Sequence, residues 1–291
     1  MTLWVILTIL SAIFGALAVT TDKKILFKEH AMEFATIIAI FNVLLSIPLF
    51  FLIDYSTLPI QPIIYLFFVA PLGATAFLLM MKVIRHEEIS TAGPISMLKP
   101  AVVAIFAFLI LRESLSLTQF GGLILIVFGA YTLGNHKNKH FTDPFKILKN
   151  KKISIYIILA IIIYGLTAVF DRFVLTTYPI APLAYLSFAQ LFVAIDFIIL
   201  ITIFHGGIKD IKKGTLKFGY WIFLASILTV VCRLFHVYAV SMANVGLVVS
   251  LREISVLFTI LLGGELFHEK NIKKKIISSL IMITGVTLIA L

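Results

Sequence analysis

The chain has a single cysteine, few charged residues and few carboxylates. Of its 291 residues only 13% are charged, and 24 lysines and arginines stand against 14 aspartates and glutamates. The one cysteine, Cys232, excludes an internal disulfide framework and is expected to be a small buried hydrophobe. The sequence has no HExxH, no GxSxG, no glycine-rich phosphate loop and no Cys/His cluster. We therefore predict a protein that is not an enzyme and needs no cofactor or metal.

Apolar residues, in contrast, are abundant and occur in long runs. They make up 61% of the chain, whose mean hydropathy is +1.11. A run of about twenty residues crosses a hydrocarbon core of about 30 Å as a helix, and alternating apolar and polar strands are absent. The sequence predicts an all-α polytopic membrane protein with ten transmembrane helices. The spans are expected near residues 3–21, 34–53, 63–84, 92–111, 118–134, 153–175, 181–204, 218–240, 244–264 and 276–291.

Basic residues are concentrated in alternate loops. The five odd-numbered loops carry eighteen lysines and arginines, whereas the even-numbered loops and the termini carry only Arg112 and Arg172. Because cytoplasmic loops are enriched in basic residues, we predict that the odd loops are cytoplasmic and both termini lie outside. The expected location is the cytoplasmic membrane of a prokaryote. The formal charge of +10 is accounted for by these loops, so nucleic acid is not an expected partner.

Short charged motifs recur at matching places in the two halves of the chain. Because each half has an odd number of spans, the halves would cross the membrane in opposite senses, as in many secondary transporters. We predict two inverted five-helix repeats around a central cavity, at residues 1–134 and 153–291, joined by a basic linker at 135–152. The matching motifs are Asp22-Lys23 with Asp171-Arg172, and Leu98-Lys99 with Leu251-Arg252.

Four stretches of sequence extend this pattern. They are LILRESLS at residues 109–116, the small-residue stretch 119–129, the run LREISVLF at 251–258 and the tail from 263 to 285. With them the whole chain resembles the drug/metabolite transporter superfamily, in its ten-helix EamA-type branch. The resemblance implies polytopic carriers, many of them exporters of metabolites or drugs, with a cavity between two halves. It also implies cytoplasmic termini, the reverse of the orientation that the charge count indicates.

Charged side chains inside predicted spans are the main candidates for a site. A charge at the bilayer centre costs about 2.5–3.5 kcal/mol on insertion scales and is tolerated mainly where it faces protein or water. Arg252 and Glu253 point about 100° apart on a helix, so each needs its own partner. Either Arg252 binds an anionic substrate group and Glu253 a proton or substrate amine, or both brace other helices. Lys99, beside the helix-bending Pro100 and Pro94, either lines the site or snorkels to the interface.

The eighth span carries a second pair of titratable residues. Arg233 and His236 share one face at i and i+3. The planar guanidinium of Arg233 suits a carboxylate or phosphate, whereas His236 either couples transport to protons or donates to a carbonyl. The uncharged polar candidates, which either contact substrate or hold helices together, are Asn42, Gln190, Tyr164, Tyr238 and Ser250.

Charges near the span ends have less specific interpretations. The pairs Asp22-Lys23 and Asp171-Arg172 are either gates that open in turn at opposite membrane faces or solvated helix-end charges of little energetic weight. Lys82 and Arg85 are expected to be interfacial anchors, and Glu113 and Glu269 to serve capping and packing.

The charges predicted at depth are mainly basic, since Lys99, Arg233 and Arg252 stand against Glu253 and Asp196. A positive cavity attracts anionic or zwitterionic solutes. We therefore predict a secondary active transporter, an exporter or exchanger, that moves a small polar metabolite such as an amino acid or organic acid by alternating access, with protons as a candidate coupling ion. The alternatives are a membrane-embedded enzyme that acts on a lipid-linked substrate and a non-transporting interaction subunit.

Overall fold

The computed structural model describes residues 3–56, 58–86, 98–113, 116–134 and 151–256, and single positions between 258 and 288. The regular structure of these residues is helical, with no strand among them. The first half contains α1 (Leu3–Leu26), α2 (Ala31–Phe50), α3 (Ile60–His86), α4 (Lys99–Phe106) with a π-helical extension (Ala107–Leu111), and α5 (Leu117–Gly134). The second half contains α6 (Lys151–Thr177), α7 (Pro182–Phe204), α8 (Ile208–Met242) and α9 (Val245–Arg252).

Six of these helices are long and apolar enough to cross a membrane, namely α1, α2, α3, α6, α7 and α8. Two shorter apolar helical stretches cover residues 99–111 and 117–129. Large apolar side chains such as Phe67, Phe68 and Phe108 are exposed on the outside of the bundle, where lipid would cover them. The chain is therefore an integral multi-pass membrane protein. The predicted tenth span, residues 276–291, lies largely outside the described residues, so the number ten stays a prediction.

The eighth span is longer than the sequence predicts. The apolar run indicates a helix over 218–240, whereas α8 extends over Ile208–Met242, 35 residues. At 1.5 Å per residue this is about 52 Å, well beyond a hydrocarbon core of about 30 Å. Hydropathy detects only the part of the helix that lipid surrounds, and the exposed Lys209 and Lys212 belong to helical turns that precede it.

The helices of one half pack mainly against helices of the other. α1 packs on α8 and α3 packs on α6, so the first helix of each half contacts the third helix of the other. α2 packs on α7, and α4 packs on α9. α4 also packs on α6, and α9 packs on α1 in the same reciprocal way. Exchanging the two halves therefore leaves this set of contacts unchanged.

Two apolar cores lie toward opposite ends of the bundle. The first is formed where α1 and α3 end and α2 begins, and it includes Leu26, Phe34 and Phe197. The second is formed where α6 and α8 end and α7 and α9 begin, and it includes Tyr185 and Val248. The middle turns of α2, α6, α7 and α8 lie between these cores, and these turns carry most of the polar side chains discussed below.

A close backbone contact joins α5 to the last part of the chain. A Cβ at Gly285 would lie 2.7 Å from the carbonyl oxygen of Gly122 and 2.9 Å from the backbone nitrogen of Ile126. We predict that Gly285→Ala lowers the free energy of unfolding by about 1–3 kcal/mol, the usual cost of overpacking, measured as a lower melting temperature in detergent. Gly121→Ala is the matched control, since its Cβ would meet nothing within 4 Å. Equal melting temperatures for the two variants would contradict the contact.

Candidate functional site

Two helix ends meet inside the bundle. α4 begins at Lys99, with Pro100 in its first turn, a position where the missing N–H of proline costs no hydrogen bond. α9 ends at Arg252, and Glu253 forms a turn before helical backbone resumes at 254. With its π-helical extension α4 is about 20 Å long and α9 about 12 Å, so neither covers a core of about 30 Å. The ninth span, predicted as one helix over 244–264, is thus interrupted at Glu253. Pro94 lies outside the described residues.

An ion pair connects these two helix ends across the halves of the chain. The Nζ of Lys99 lies 2.6 Å from Oε1 of Glu253. The Glu253 side chain is only 5% exposed and that of Lys99 24%. The same ammonium lies 5.9 Å from the centroid of the Tyr164 ring, within the range of a cation–π contact. Lys99 therefore pairs inside the bundle rather than snorkelling to the interface.

Arg252 is held by sulfur rather than by a carboxylate. Its Nη2 donates to Sγ of Cys232 over 3.5 Å. The Cys232 thiol donates in turn to the carbonyl of Ser11 at 3.2 Å, and the Ser11 hydroxyl donates to the carbonyl of Cys232 at 2.9 Å. Cys232 is buried as predicted, but it also joins α1, α8 and the guanidinium at the end of α9.

Arg233 lies among several polar side chains without an ion pair in the described part of the chain. It is close enough to act electrostatically on Tyr164, His236 and the carboxylate of Asp171, and so is Arg252, but neither forms an ion pair with Asp171 among the described residues. Nε of Arg233 is buried without a hydrogen-bond partner among the described residues, and so is Nδ1 of His236. We call Lys99, Tyr164, Arg233, His236, Arg252 and Glu253 the central cluster.

The amides of Asn42 and Gln190 are a separate group. Oδ1 of Asn42 and both polar atoms of the Gln190 amide are buried without a partner among the described residues. They lie on α2 and α7, which pack against each other, and no hydrogen bond in the described part of the chain joins them to the central cluster. A buried amide without a partner costs about 1–3 kcal/mol, so a partner beyond the described residues would stabilise these groups.

Two other candidates have a weaker connection to the site. The hydroxyl of Ser250 donates to the carbonyl of Gly246 in its own helix at 2.6 Å, so it needs no substrate as a partner. Tyr238 lies five residues after Arg233 on α8, which turns it about 140° away at 100° per residue. No hydrogen bond in the described part of the chain joins Ser250 to the central cluster, and the helix geometry turns Tyr238 away from Arg233. Asp196 on α7 keeps its Oδ2 buried without a partner among the described residues.

Arg172 forms part of a closed network at the end of the bundle where α6 and α8 end. Its Nη1 donates to the carbonyl of Val240 at 2.6 Å, and its Nε donates to Oε1 of Glu113 at 3.1 Å. The other oxygen of Glu113 accepts the backbone N–H of Val245, at 3.1 Å, and so caps α9. Arg112 has a left-handed backbone (φ 56°), which turns the chain directly before Glu113.

Asp171 is also satisfied at this end, whereas its counterpart at the other end is not. The hydroxyl of Tyr185 donates to Oδ1 of Asp171 at 2.5 Å. At the opposite end Lys23 donates to the carbonyl of Ile84, but Oδ1 of Asp22 is buried without a partner among the described residues. Asp22 and Lys23 are 4% and 5% exposed, so they are not the solvated helix-end charges that one interpretation of the sequence expects.

The two end contacts use the same geometry. Ile84 lies two residues before the end of α3 at His86, and Val240 lies two residues before the end of α8 at Met242. Lys23 and Arg172 thus each bind a carbonyl in the last turn of the third helix of their own half. A cation is favourable there because the last carbonyls of a helix lack partners and carry partial negative charge.

Sequence reasoning missed the residues that support the candidates. Cys232 binds Arg252, Tyr185 binds Asp171, and Ser11 on α1 binds Cys232. Each bond joins two different helices, so no spacing within one helix indicates it. Glu113 was expected to serve in capping, which it does, but its ion pair with Arg172 was not anticipated. The only sequence signal for it is a carboxylate beside the tight hairpin between the fourth and fifth spans.

Comparison with known proteins places this geometry in a family. The model of the EamA-like transporter family matches residues 2–134 and 151–291. A solved structure described only as "Crystal structure of protein" has a similar fold, with a TM-score of 0.69 at 13% identity, over 98% of this chain and 95% of that one. No curated protein sequence matches the chain. Since the family model covers nearly the whole sequence, the chain belongs to the EamA-like transporter family.

Proposed function

We propose that this membrane transporter is a secondary carrier for a small anionic or zwitterionic metabolite, such as an amino acid or organic acid. The central cluster binds the substrate, and two inverted five-helix repeats give it access from either side of the membrane in turn. The observation that carries the proposal is the pair of guanidinium groups, Arg233 and Arg252, that lie inside the bundle without a carboxylate partner among the described residues.

The charge balance of the central cluster supports an anionic group on the substrate. Lys99 and Glu253 neutralise each other at 2.6 Å. Arg252 has a thiol as its hydrogen-bond acceptor, a weak one compared with a carboxylate, and Nε of Arg233 has none in the described part of the chain. A guanidinium binds a carboxylate through two parallel hydrogen bonds, so a substrate carboxylate would satisfy groups that the protein leaves open.

The ion pair supports a zwitterion in addition. A substrate ammonium that approaches Glu253 competes with Lys99 for the same carboxylate. Release of Lys99 from Glu253 would free α4 from α9 at the point where both are interrupted. Substrate binding would then act directly on the contact that joins the two halves, which is what a carrier requires if binding is to change which side is open.

The packing supports inverted repeats. The helix contacts are reciprocal between the halves, and Lys23 and Arg172 make matching contacts at opposite ends of the bundle. Among the described residues, Tyr185 and Glu113 complete the network around Asp171 and Arg172.

We predict that Arg252→Ala and Arg233→Ala each reduce exchange at least about tenfold, because a hydrogen bond to a charged group contributes about 1.5–3 kcal/mol. A thermal-shift screen of the purified protein against amino acids, carboxylic acids and sugar phosphates selects the substrate. Counterflow of that labelled compound in proteoliposomes then measures the rate. Lys212→Ala, a change of the same charge at an exposed position, is expected to leave the rate unchanged. Stabilisation by lipophilic cations alone would contradict the proposal.

A double-mutant cycle tests whether the ion pair of Lys99 and Glu253 takes part in transport or only stabilises the fold. Lys99→Met or Glu253→Gln alone leaves one buried charge unpaired, a loss of about 3–5 kcal/mol, and is expected to lower the melting temperature. The double variant removes both charges and is expected to recover most of that stability. If the pair takes part in transport, the double variant stays inactive although it is stable. Recovery of both stability and transport would show that the pair is only a brace.

The single cysteine offers a direct measure of water access to the site. Cys232 contacts Arg252, and no other thiol in the chain competes for a reagent. If the central cluster is reached by water, an anionic methanethiosulfonate is expected to label Cys232 faster than a cationic one of the same size, since two guanidinium groups lie near it. The selected substrate is expected to slow the labelling. No labelling by either reagent in the folded protein would contradict a water-filled path.

A further inference from the structure

A cavity of about 370 Å³ lies at the end of the bundle where α3 ends and α6 begins. This is the end opposite the Asp171 network, where the loops with most of the basic residues emerge. The cavity is lined by the basic or titratable residues His30, Lys82, Arg85 and His86 and by the apolar or aromatic residues Ala31, Ile153 and Tyr156. We call it the basic cavity.

No carboxylate among the described residues lines the basic cavity. Glu29, next to His30 in the chain, is engaged by Lys217 at 3.0 Å. Lys82 lies 5.5 Å from the centroid of the Tyr156 ring, a contact that orients its stem but does not neutralise its charge. Lys82 and Arg85 are spaced i and i+3 and so share one face of α3. The described residues that line the cavity therefore provide no carboxylate to compensate the charges of Lys82 and Arg85.

We propose that the basic cavity binds the phosphate group of an anionic amphiphile, and that a phospholipid of the surrounding leaflet is the source its apolar wall favours. Arg85 offers a planar fork that matches two phosphate oxygens, and Lys82, His30 and His86 line the same cavity. The volume is much larger than a bare ion needs, and Ala31, Ile153 and Tyr156 give the glycerol and first methylene groups an apolar surface. Anionic lipids are drawn to basic cavities of this kind.

The state of His30 supports an anionic occupant. Partial burial lowers the pKa of His30, and the positive charges of Arg85, His205, Lys82 and His86 lower it further. The ring of His205 lies 5.0 Å from that of His30, and Nδ1 of His30 accepts the N–H of Met32 at 3.4 Å. A bound phosphodiester offsets this repulsion and raises the pKa of His30, so binding takes up a proton, which goes to Nδ1 and replaces the long contact from Met32. Affinity therefore increases as the pH falls through the ordinary range of histidine.

The test uses the purified full-length protein in a neutral detergent. Native mass spectrometry and thermal shift are measured with phosphatidylglycerol, with phosphatidylcholine, with glycerol 3-phosphate and with inorganic phosphate. We expect phosphatidylglycerol to bind more tightly than phosphatidylcholine, and more tightly at pH 6 than at pH 8. The double variant Lys82→Gln/Arg85→Gln is expected to weaken this binding by at least about tenfold, the loss of one or more charged hydrogen bonds.

Two further variants make the result specific. Lys209→Gln/Lys212→Gln removes the same charge from exposed positions at the same end of the bundle and is expected to change the affinity less than twofold. Lys82→Arg/Arg85→Lys keeps the charge and is expected to retain binding, which separates lost recognition from a fold that has failed.

Each outcome decides the proposal. Binding of the soluble phosphates in preference to phosphatidylglycerol would support the phosphate site and assign it to a soluble ligand. The proposal would be overturned if the exposed-lysine variant lost as much affinity for phosphatidylglycerol as the Lys82/Arg85 variant. It would also be overturned if the protein bound phosphatidylglycerol and phosphatidylcholine with equal affinity and bound neither soluble phosphate. Because the readout is binding at a place remote from the central cluster, it is independent of whether the proposed transport activity is found.

Discussion

The ion pair between Lys99 and Glu253 is the contact on which the centre of the structure depends. It joins the beginning of α4 to the end of α9, and hence the two halves of the chain. Lys99 lies at the N-terminus of its helix, where the helix dipole disfavours a cation. Glu253 offsets this at close range, while Arg252 lies at the C-terminus of α9, where the dipole favours it. Of the two cations, Lys99 is therefore the one that depends on its partner.

The two ends of the bundle use the same cation–carbonyl contact with different cations. Arg172 binds Val240 and Glu113 through its guanidinium, and Lys23 binds the carbonyl of Ile84 through its ammonium. A guanidinium is a planar group with donors in fixed directions, whereas an ammonium is a compact charge on a flexible stem. The contact at the Arg172 end therefore depends more strongly on the orientation of its partners than the contact at the Lys23 end.

The positions of most long helices can be predicted from the sequence, because a helix that crosses a lipid bilayer needs an apolar run of about twenty residues. The runs predict α1, α2, α3, α6 and α7 within a few residues. They predict α8 too short, because its first turns lie outside the lipid. They also predict the ninth span as one continuous helix, whereas a turn at Glu253 interrupts it. The rarity of charge in apolar runs also identifies Lys99 and Glu253. The sequence does not predict that they pair, since they lie 154 residues apart and meet only because of how the helices cross. The bond of Tyr185 to Asp171 likewise depends on how two helices pack.

The same basic side chains have different effects at different depths. Lys82 and Arg85 lie at the end of α3, where the sequence predicts interfacial anchors and where water screens part of their mutual repulsion. Arg233 and Arg252 lie between the two apolar cores, where each charge interacts more strongly with its neighbours. The thiol of Cys232 and the nearby tyrosine provide only part of what a guanidinium binds. An anionic partner therefore contributes more free energy beside the central arginines than beside Lys82 and Arg85, although cations at both depths attract one.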